Sequence, residues 1–302
     1  MQFQVHILGC GAATPTQRHF PTSQLVNIHD KYFLIDCGEG TQMQLRKYKL
    51  KMQRIQAIFI SHLHGDHFFG LIGLLSSYNL LGRTAPLKIY AHPALEPIIR
   101  MQFEVSEARF EYEIEFVSTQ TKSMELLYED ETLKVSSFPL KHRVPCTGFL
   151  FEEKPRPLNV IKSAIREFEL LPSEILLLKK GLAIRSGSAE ILAKQVTEPA
   201  VPVRKYAYCS DTAYDERVVP FIHGADVLYH ESTFLNSEQE RAKKTQHATA
   251  EEAARIAKLA NVKKLVLGHY SSRYGNEDQF LVEASPVFSN VILGQEGEVI
   301  QL

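Results

Sequence analysis

No stretch of the 302-residue sequence approaches the roughly 20 consecutive apolar residues that a membrane-spanning helix needs. Met1 to Gly9 alternates polar and apolar residues as a strand does, and it lacks the basic start and long apolar run of a secretion signal. A cytoplasmic protein with no membrane partner is therefore the expectation. Cysteine is sparse. Cys10, Cys37, Cys146 and Cys209 stand far apart with no C-x-x-C pair, which argues against a zinc ribbon or a dithiol redox motif and predicts four free thiols. There is no excess of charge of either sign: 34 basic and 35 acidic residues give a formal net charge of −1, so global electrostatics does not select a nucleic acid and any polyanion must meet local patches. Repeats and low-complexity tracts are also lacking. A hydrophobic fraction of 44% in a chain of this length suits a globular protein that buries its own core.

The charge that is present is unevenly placed. Arg46 to Arg54 reads RKYKLKMQR, five cations in nine residues, after a stretch of helical character from Gly40 to Leu45. Glu104 to Glu131 carries nine acids against Arg109 and Lys122, the pattern of a solvated face. Apolar, β-branched runs recur and end abruptly in polar residues: IQAIFI before Ser61, VSSFPL before Lys141, KYAYC before Ser210 and KLVLG before His269. Such runs are strands that deliver side chains from their C-terminal ends. Helical spacing lies between them, over Phe68 to Leu81 and over Thr249 to Ala260, with Thr249 as the cap. The alternation predicts an α/β fold. Lys154 to Pro202 breaks the pattern. It opens with Pro155 and Pro157, predicts a helix over Ser163 to Leu171, breaks at Pro172 and resumes with SEILLLKKG. About 50 residues is far beyond an ordinary connection, so the segment reads as a functional insertion.

The most informative run is Ser61-His62-Leu63-His64-Gly65-Asp66-His67, four strong metal ligands within six residues at the end of an apolar strand. On an extended segment His62 and His64 share a side and can grip one ion. Where the chain turns into a helix, Asp66 and His67 swing toward a second. His142, Asp211 and His269, each after an apolar run, are the candidates to complete both sites. Imidazole and carboxylate without thiolate suit Zn²⁺ best, with Mn²⁺ or Fe able to compete for the same set.

The H-x-H-x-D-H cluster with later His, Asp and His at strand ends resembles the metallo-β-lactamase superfamily, and within it the chain resembles the ribonuclease Z family from end to end. The likeness is carried by Gly9-Cys10-Gly11-Ala12-Ala13-Thr14-Pro15, Asp36-Cys37-Gly38-Glu39-Gly40-Thr41, the cluster itself, Ser210-Asp211-Thr212, His230-Glu231-Ser232-Thr233, His247-Ala248-Thr249 and Gly268-His269. The resemblance implies one αββα sandwich over residues 1–302, with residues 154–202 as a flexible arm that binds tRNA. It implies two Zn²⁺ per subunit, one on His62, His64, His142 and Asp211, the other on Asp66, His67, His269 and the shared Asp211. The activity implied is removal of the 3′ trailer from precursor tRNA by phosphodiester hydrolysis, in a homodimer, with no organic cofactor. Two nearby cations would acidify a bridging water, with Asp66 placed to accept its proton. His247, oriented by Glu231, is the implied general acid, because a ribose 3′ oxygen is a poor leaving group. Lys179 and Lys180 of the arm and Arg18 are the candidate phosphate contacts.

Two departures stand out. Where many relatives read Pro-x-Lys-Arg-Asn, this chain has Pro15-Thr16-Gln17-Arg18-His19. The arm offers Leu171-Pro172-Ser173-Glu174 in place of a Gly-Pro signature. Three rivals share part of the pattern. A thioesterase or small phosphodiesterase on the same fold leaves the insertion and His230 to Thr233 without a task. A flavodiiron-type oxidoreductase would carry Glu where His64 stands. A structural-zinc RNA-binding module would be expected to carry thiolates.

Overall fold

A computed structural model describes residues 2–186 and 189–302. Met1 of the expected first strand, and Gly187 and Ser188 of the insertion, lie outside the described residues. The chain divides into two compact units, Met1–Tyr128 with Val135–Phe151 and Arg204–Leu302, and Glu129–Lys134 with Glu152–Val203. In chain order the strands are β1 (Phe3–Gly9), β2 (Ser23–Ile28), β3 (Lys31–Ile35), β4 (Ile55–Phe59), β5 (Leu87–Ala91) and β6 (Ile114–Ser118). Then come β7 (Glu125–Glu129), β8 (Leu133–Leu140) and β9 (Cys146–Glu153), a short hairpin of β10 (Ile184–Ser186) and β11 (Ala189–Ile191), and β12 (Lys205–Cys209). β13 (Val227–Glu231), β14 (Lys264–Gly268), β15 (Val291–Leu293) and β16 (Val299–Gln301) complete the set.

Nearly all of two seven-stranded sheets belongs to the first unit, in the orders β16-β1-β2-β3-β4-β5-β6 and β15-β14-β13-β12-β9-β8-β7. β3 to β6 run parallel, as do β12 to β15, and three of the four apolar runs read in the sequence lie on them, as β4, β12 and β14, while the fourth is β8. Strands covered on both faces have no solvent side to keep polar, hence the near-continuous hydrophobic stretches. Between the sheets Phe33 and Phe59 meet Phe149 and Phe151, with ring centroids 5.4–5.8 Å apart. Outside the first sheet, helices Thr41–Lys47, Leu71–Leu80 and Leu95–Val105 bury Leu45, Leu74, Tyr78 and Ile99 against Leu34, Ile58 and Ile89. On the second sheet helix Ala250–Leu259 turns inward Ala253, Ala254, Ile256 and Ala257. Thr249 caps that helix as expected, accepting from the Glu252 amide at 3.3 Å. Helix, sheet, sheet and helix form the αββα layering. The four cysteines are free and buried.

The second unit contains the whole of the insertion and has its own small core of Leu170, Leu178, Ile184, Ile191 and Val196. Its first helix is shorter than the sequence suggests, Lys162–Glu167 rather than Ser163 to Leu171. Pro172 does more than end that run. It is the first residue of helix Pro172–Lys179, where a missing N–H costs nothing. The hairpin of β10 and β11 is an addition that the sequence did not announce.

One contact in the first unit positions the cluster directly. The turn after β3 is pressed backbone to backbone on the segment that follows β4: the Cys37 amide donates to His67 O at 2.7 Å and the Gly70 amide to Cys37 O at 2.9 Å. A Cβ on Gly38 would lie 2.4 Å from Asp66 O, and one on Gly70 2.1 Å from Gly38 O. Gly38→Ala must therefore push the Asp66 backbone away. We expect it to cost about 1–3 kcal/mol of stability, as overpacking does. Thermal unfolding of the variant checks this, and an unchanged midpoint refutes it.

Candidate metal centre

Each cluster residue lies just beyond the C-terminal end of a strand. β4 leads into Ser61 to Asp66, and His64 is still extended (φ −75°, ψ 146°) where it precedes helix Gly65–Phe68. His142 follows β8. In the parallel set, Cys209 pairs with His230 and Glu231 with Gly268, so Asp211, Glu231 and His269 leave the sheet side by side.

The donors converge in two groups. His62 Nε2 lies 3.0 Å from His64 Nδ1 and 3.5 Å from Asp211 Oδ2, while His142 Nε2 lies 3.3 Å from His64 Nδ1 and 3.7 Å from the same Asp211 oxygen. In the second group His67 Nε2 and His269 Nε2 lie 3.5 and 3.4 Å from Asp66 Oδ2, and 3.3 and 3.2 Å from Asp211 Oδ1. Four ligands at about 2.0 Å around a tetrahedral Zn²⁺ stand roughly 3.3 Å apart, so both groups have the spacing of a ligand shell. His67 Nε2, His269 Nε2 and Asp211 Oδ1 are buried with no hydrogen-bond partner, a costly state that a cation at that point would relieve. Asp211 gives one oxygen to each group. The residues present thus fit a pair of divalent metal ions.

The outward-facing ring nitrogens are held by neighbours, which turns the other nitrogen of each ring toward the shared donor groups. His142 Nδ1 donates to Gln246 O at 2.9 Å, His67 Nδ1 to Asp36 Oδ2 at 2.8 Å and His269 Nδ1 to Thr233 Oγ1 at 2.9 Å. Burial, then the proximity of His67, pulls His62 well below the usual histidine range and favours the neutral ring that a metal requires. For His67 burial alone would act downward, but Asp66, Asp211 and Asp36 outweigh it and hold a positive charge there. Three carboxylates around one imidazole call for a cation.

Glu231 and His247 come together as the sequence suggested, with Oε1 2.8 Å from Nδ1. Glu231 is fully buried and also receives the Thr212 amide at 3.0 Å, the Thr233 amide at 3.0 Å and the Thr233 hydroxyl at 2.7 Å. Burial of His247 acts downward, and the Glu231 carboxylate more than reverses it, so the imidazole is pushed up to about 9. His247 lines a cavity of about 510 Å³ together with His64, Asp66, Asp211 and His269. Arg143, Arg241 and Arg273 line the same cavity, the last two ion-paired to Glu238 at 2.7 and 3.7 Å, and nothing in the sequence marked them. Nor did it give a role to Asp36 or Thr233, which lie within motifs but act only through contacts far away in the chain.

Arg18 is engaged within the protein, on Tyr274 O, on Gly275 O at 2.9 Å and on Glu277 at 3.1 Å. Lys179 ends helix Pro172–Lys179, Lys180 follows it, and both are exposed.

Residues 3–154 match a family model described as anti-Pycsar protein Apyc1. That match ends where the insertion begins. A ribonuclease Z of Bacteroides fragilis is 48% identical over 302 residues, covering 100% of this chain and 99% of that one. The ribonuclease Z of Bacteroides thetaiotaomicron is 47% identical, covering 100% of this chain and 96% of that one. Among solved structures, human tRNase Z, short form, is 30% identical with a TM-score of 0.70 and covers 98% of each chain. The protein YhfI from Bacillus subtilis, of metallo-β-lactamase fold, is 22% identical with a TM-score of 0.71 and shares the fold. Because the likeness runs through the insertion as well as the cluster, the chain belongs to the ribonuclease Z family.

Proposed function

We propose that this chain removes the 3′ trailer of precursor tRNA in the cytoplasm, as a homodimer with two zinc ions per subunit, leaving a 3′-hydroxyl on the tRNA and a 5′-phosphate on the trailer. Family membership supports the coarser part, a tRNA-processing endoribonuclease. The observation that carries the reading is the two donor groups meeting at Asp211, which turns one oxygen to each, beside the His247 ring held by Glu231 in one cavity. Mn²⁺ or another divalent ion would fit the same donors.

His62, His64, His142 and Asp211 would hold one ion, and Asp66, His67, His269 and Asp211 the other. When bound, such a pair acidifies a water and neutralises charge on the phosphodiester. The chain's own groups do the rest. Asp66 stays ionised, because His67 and His269 outweigh its burial, and its Oδ2 is steadied by the Ala13 amide at 2.7 Å. It accepts the proton of the attacking water. Glu231 fixes the His247 ring through Nδ1, which leaves Nε2 to give a proton to the departing ribose 3′ oxygen. With its affinity raised to about 9, His247 carries that proton at neutral pH, unlike an ordinary histidine. Arg143, Arg241 and Arg273 provide charge for neighbouring phosphates. Lys179 and Lys180 of the insertion, with Arg18, are the further phosphate contacts in this reading. The insertion is a binding device for the tRNA body.

The zinc-loaded protein, incubated with end-labelled precursor tRNAs with and without encoded CCA, should make a single cut at the 3′ edge of the acceptor stem. Asp66→Ala should lower that rate at least about 10²–10⁴-fold while circular dichroism stays native. No cut on either RNA, alongside hydrolysis of a small phosphodiester, would overturn the substrate. His247→Ala is expected to lower kcat by about 10²–10⁴-fold with KM nearly kept, and a pure rise in KM would remove it from the chemical step. Deleting Pro155 to Val201 should impair tRNA cleavage far more than hydrolysis of bis-p-nitrophenyl phosphate. Equal losses on the two substrates would count against a tRNA-binding role for the insertion.

A further inference from the structure

A second cluster of metal-competent side chains lies outside the catalytic groups. Cys10 follows β1, His19 closes the loop that begins there, Glu296 lies between β15 and β16, and Glu277 precedes helix Asp278–Ala284. Donor atoms of Cys10, His19 and Glu296 all fall within 4.8 Å of one another. His19 Nδ1 is 3.3 Å from Cys10 Sγ and 3.7 Å from Glu296 Oε1. Around a tetrahedral Zn²⁺, with Zn–S about 2.3 Å and Zn–N about 2.0 Å, sulfur and nitrogen stand roughly 3.5 Å apart and nitrogen and oxygen roughly 3.3 Å. The match is within a few tenths of an ångström.

The orientation of His19 points the same way. Its Nε2 donates to Glu277 Oε1 at 3.0 Å, and Arg18 steadies that carboxylate from the other side at 3.1 Å. A carboxylate on Nε2 fixes the ring's orientation and turns Nδ1 toward Cys10 and Glu296, the arrangement found behind metal-bound histidines, and a cation there would replace the proton that Glu296 and Glu277 favour on the ring. Glu296 Oε1 is itself placed by the Phe20 amide at 2.6 Å. A cavity of about 230 Å³ is lined by His19, Glu277 and Glu296, and Cys10 is buried next to His19.

We propose that Cys10, His19 and Glu296 form a mononuclear zinc site, separate from the catalytic pair, with Glu277 as the group that orients His19. Burial, together with Glu296 and Glu277, holds the Cys10 thiol protonated in the absence of a cation, so binding releases that proton. The site's task is structural. Cys10 O accepts the Tyr270 amide at 2.9 Å, one residue beyond the ligand His269, and Ala12 and Ala13, two and three residues after Cys10, line the catalytic cavity. A metal here would pin both ends of the Cys10 to His19 loop and, through the Ala13 amide, the Asp66 carboxylate. The proposal does not depend on which substrate the enzyme cuts.

The catalytic groups contain no cysteine, so a sulfur-to-metal signal separates the two sites. Metal-free full-length protein titrated with Co²⁺ should develop a near-ultraviolet sulfur-to-cobalt charge-transfer band. The band should persist in His64→Ala and in Cys146→Ser and vanish in Cys10→Ser, with zinc content falling by about one equivalent per chain. His19→Ala should weaken the band strongly, and it carries the same test should Cys10→Ser fail to fold. No band in the wild-type protein, or an unchanged band in either Cys10→Ser or His19→Ala, overturns the proposal. Such a result would leave these residues as an ordinary ion-paired latch.

Discussion

The arrangement of the candidate centre depends on one buried carboxylate that is not itself a ligand. Asp36 accepts the Ser61 amide at 2.8 Å, the Ser61 hydroxyl at 2.9 Å, the Tyr208 hydroxyl at 2.7 Å and His67 Nδ1 at 2.8 Å. Its backbone sits in the left-handed region (φ 54°), which costs a non-glycine residue about 1–2 kcal/mol. Hydrogen bonds to a charged acceptor contribute roughly 1.5–3 kcal/mol each, so four of them outweigh that strain. They also join the end of β3 to the end of β4 and, through Tyr208 on β12, one sheet to the other. The loop from Ser61 to His67 has its shape because it is hung from this point.

The two donor groups are built from both sheets. Residues 62–67 come from the first, and His142, Asp211 and His269 from the second. Parallel strands bring this about economically, because a chain that always leaves a sheet at the same end places the first residue of each following loop on one rim. The register that sets Glu231 opposite Gly268 then decides that Glu231 and His269 are neighbours. The same logic places the insertion in a connection of the second sheet, between β9 and β12, where extra chain leaves the strand order unchanged.

Much of this was legible in the residues. The apolar runs mark β4, β8, β12 and β14 because covered strands need no polar face, and the residues of the two donor groups follow those runs directly. The pairing of Glu231 with His247 was readable through motif likeness. What escaped were contacts between residues distant in sequence. Asp36 touches Tyr208 across 172 positions, and Glu296 reaches the loop of His19 from the end of the chain. No local periodicity encodes such meetings. Pro172 was legible as a boundary but ambiguous in direction, since proline ends one helix and begins another with equal ease. The hairpin of β10 and β11 has strands of three residues, too short for an alternating pattern to declare itself.

Thr233 gives the site a property of a different kind. Its hydroxyl donates to Glu231 Oε2 and accepts from His269 Nδ1, while Glu231 Oε1 holds His247. A ligand of one group and the imidazole beside the cavity are therefore moored to a single buried carboxylate through one small side chain. Evolution cannot retune the proton affinity of the one without disturbing the aim of the other. Drift at Glu231 or Thr233 would move the His269 and His247 rings together, and this ties the sequence of β13 and its exit more tightly than packing alone would require.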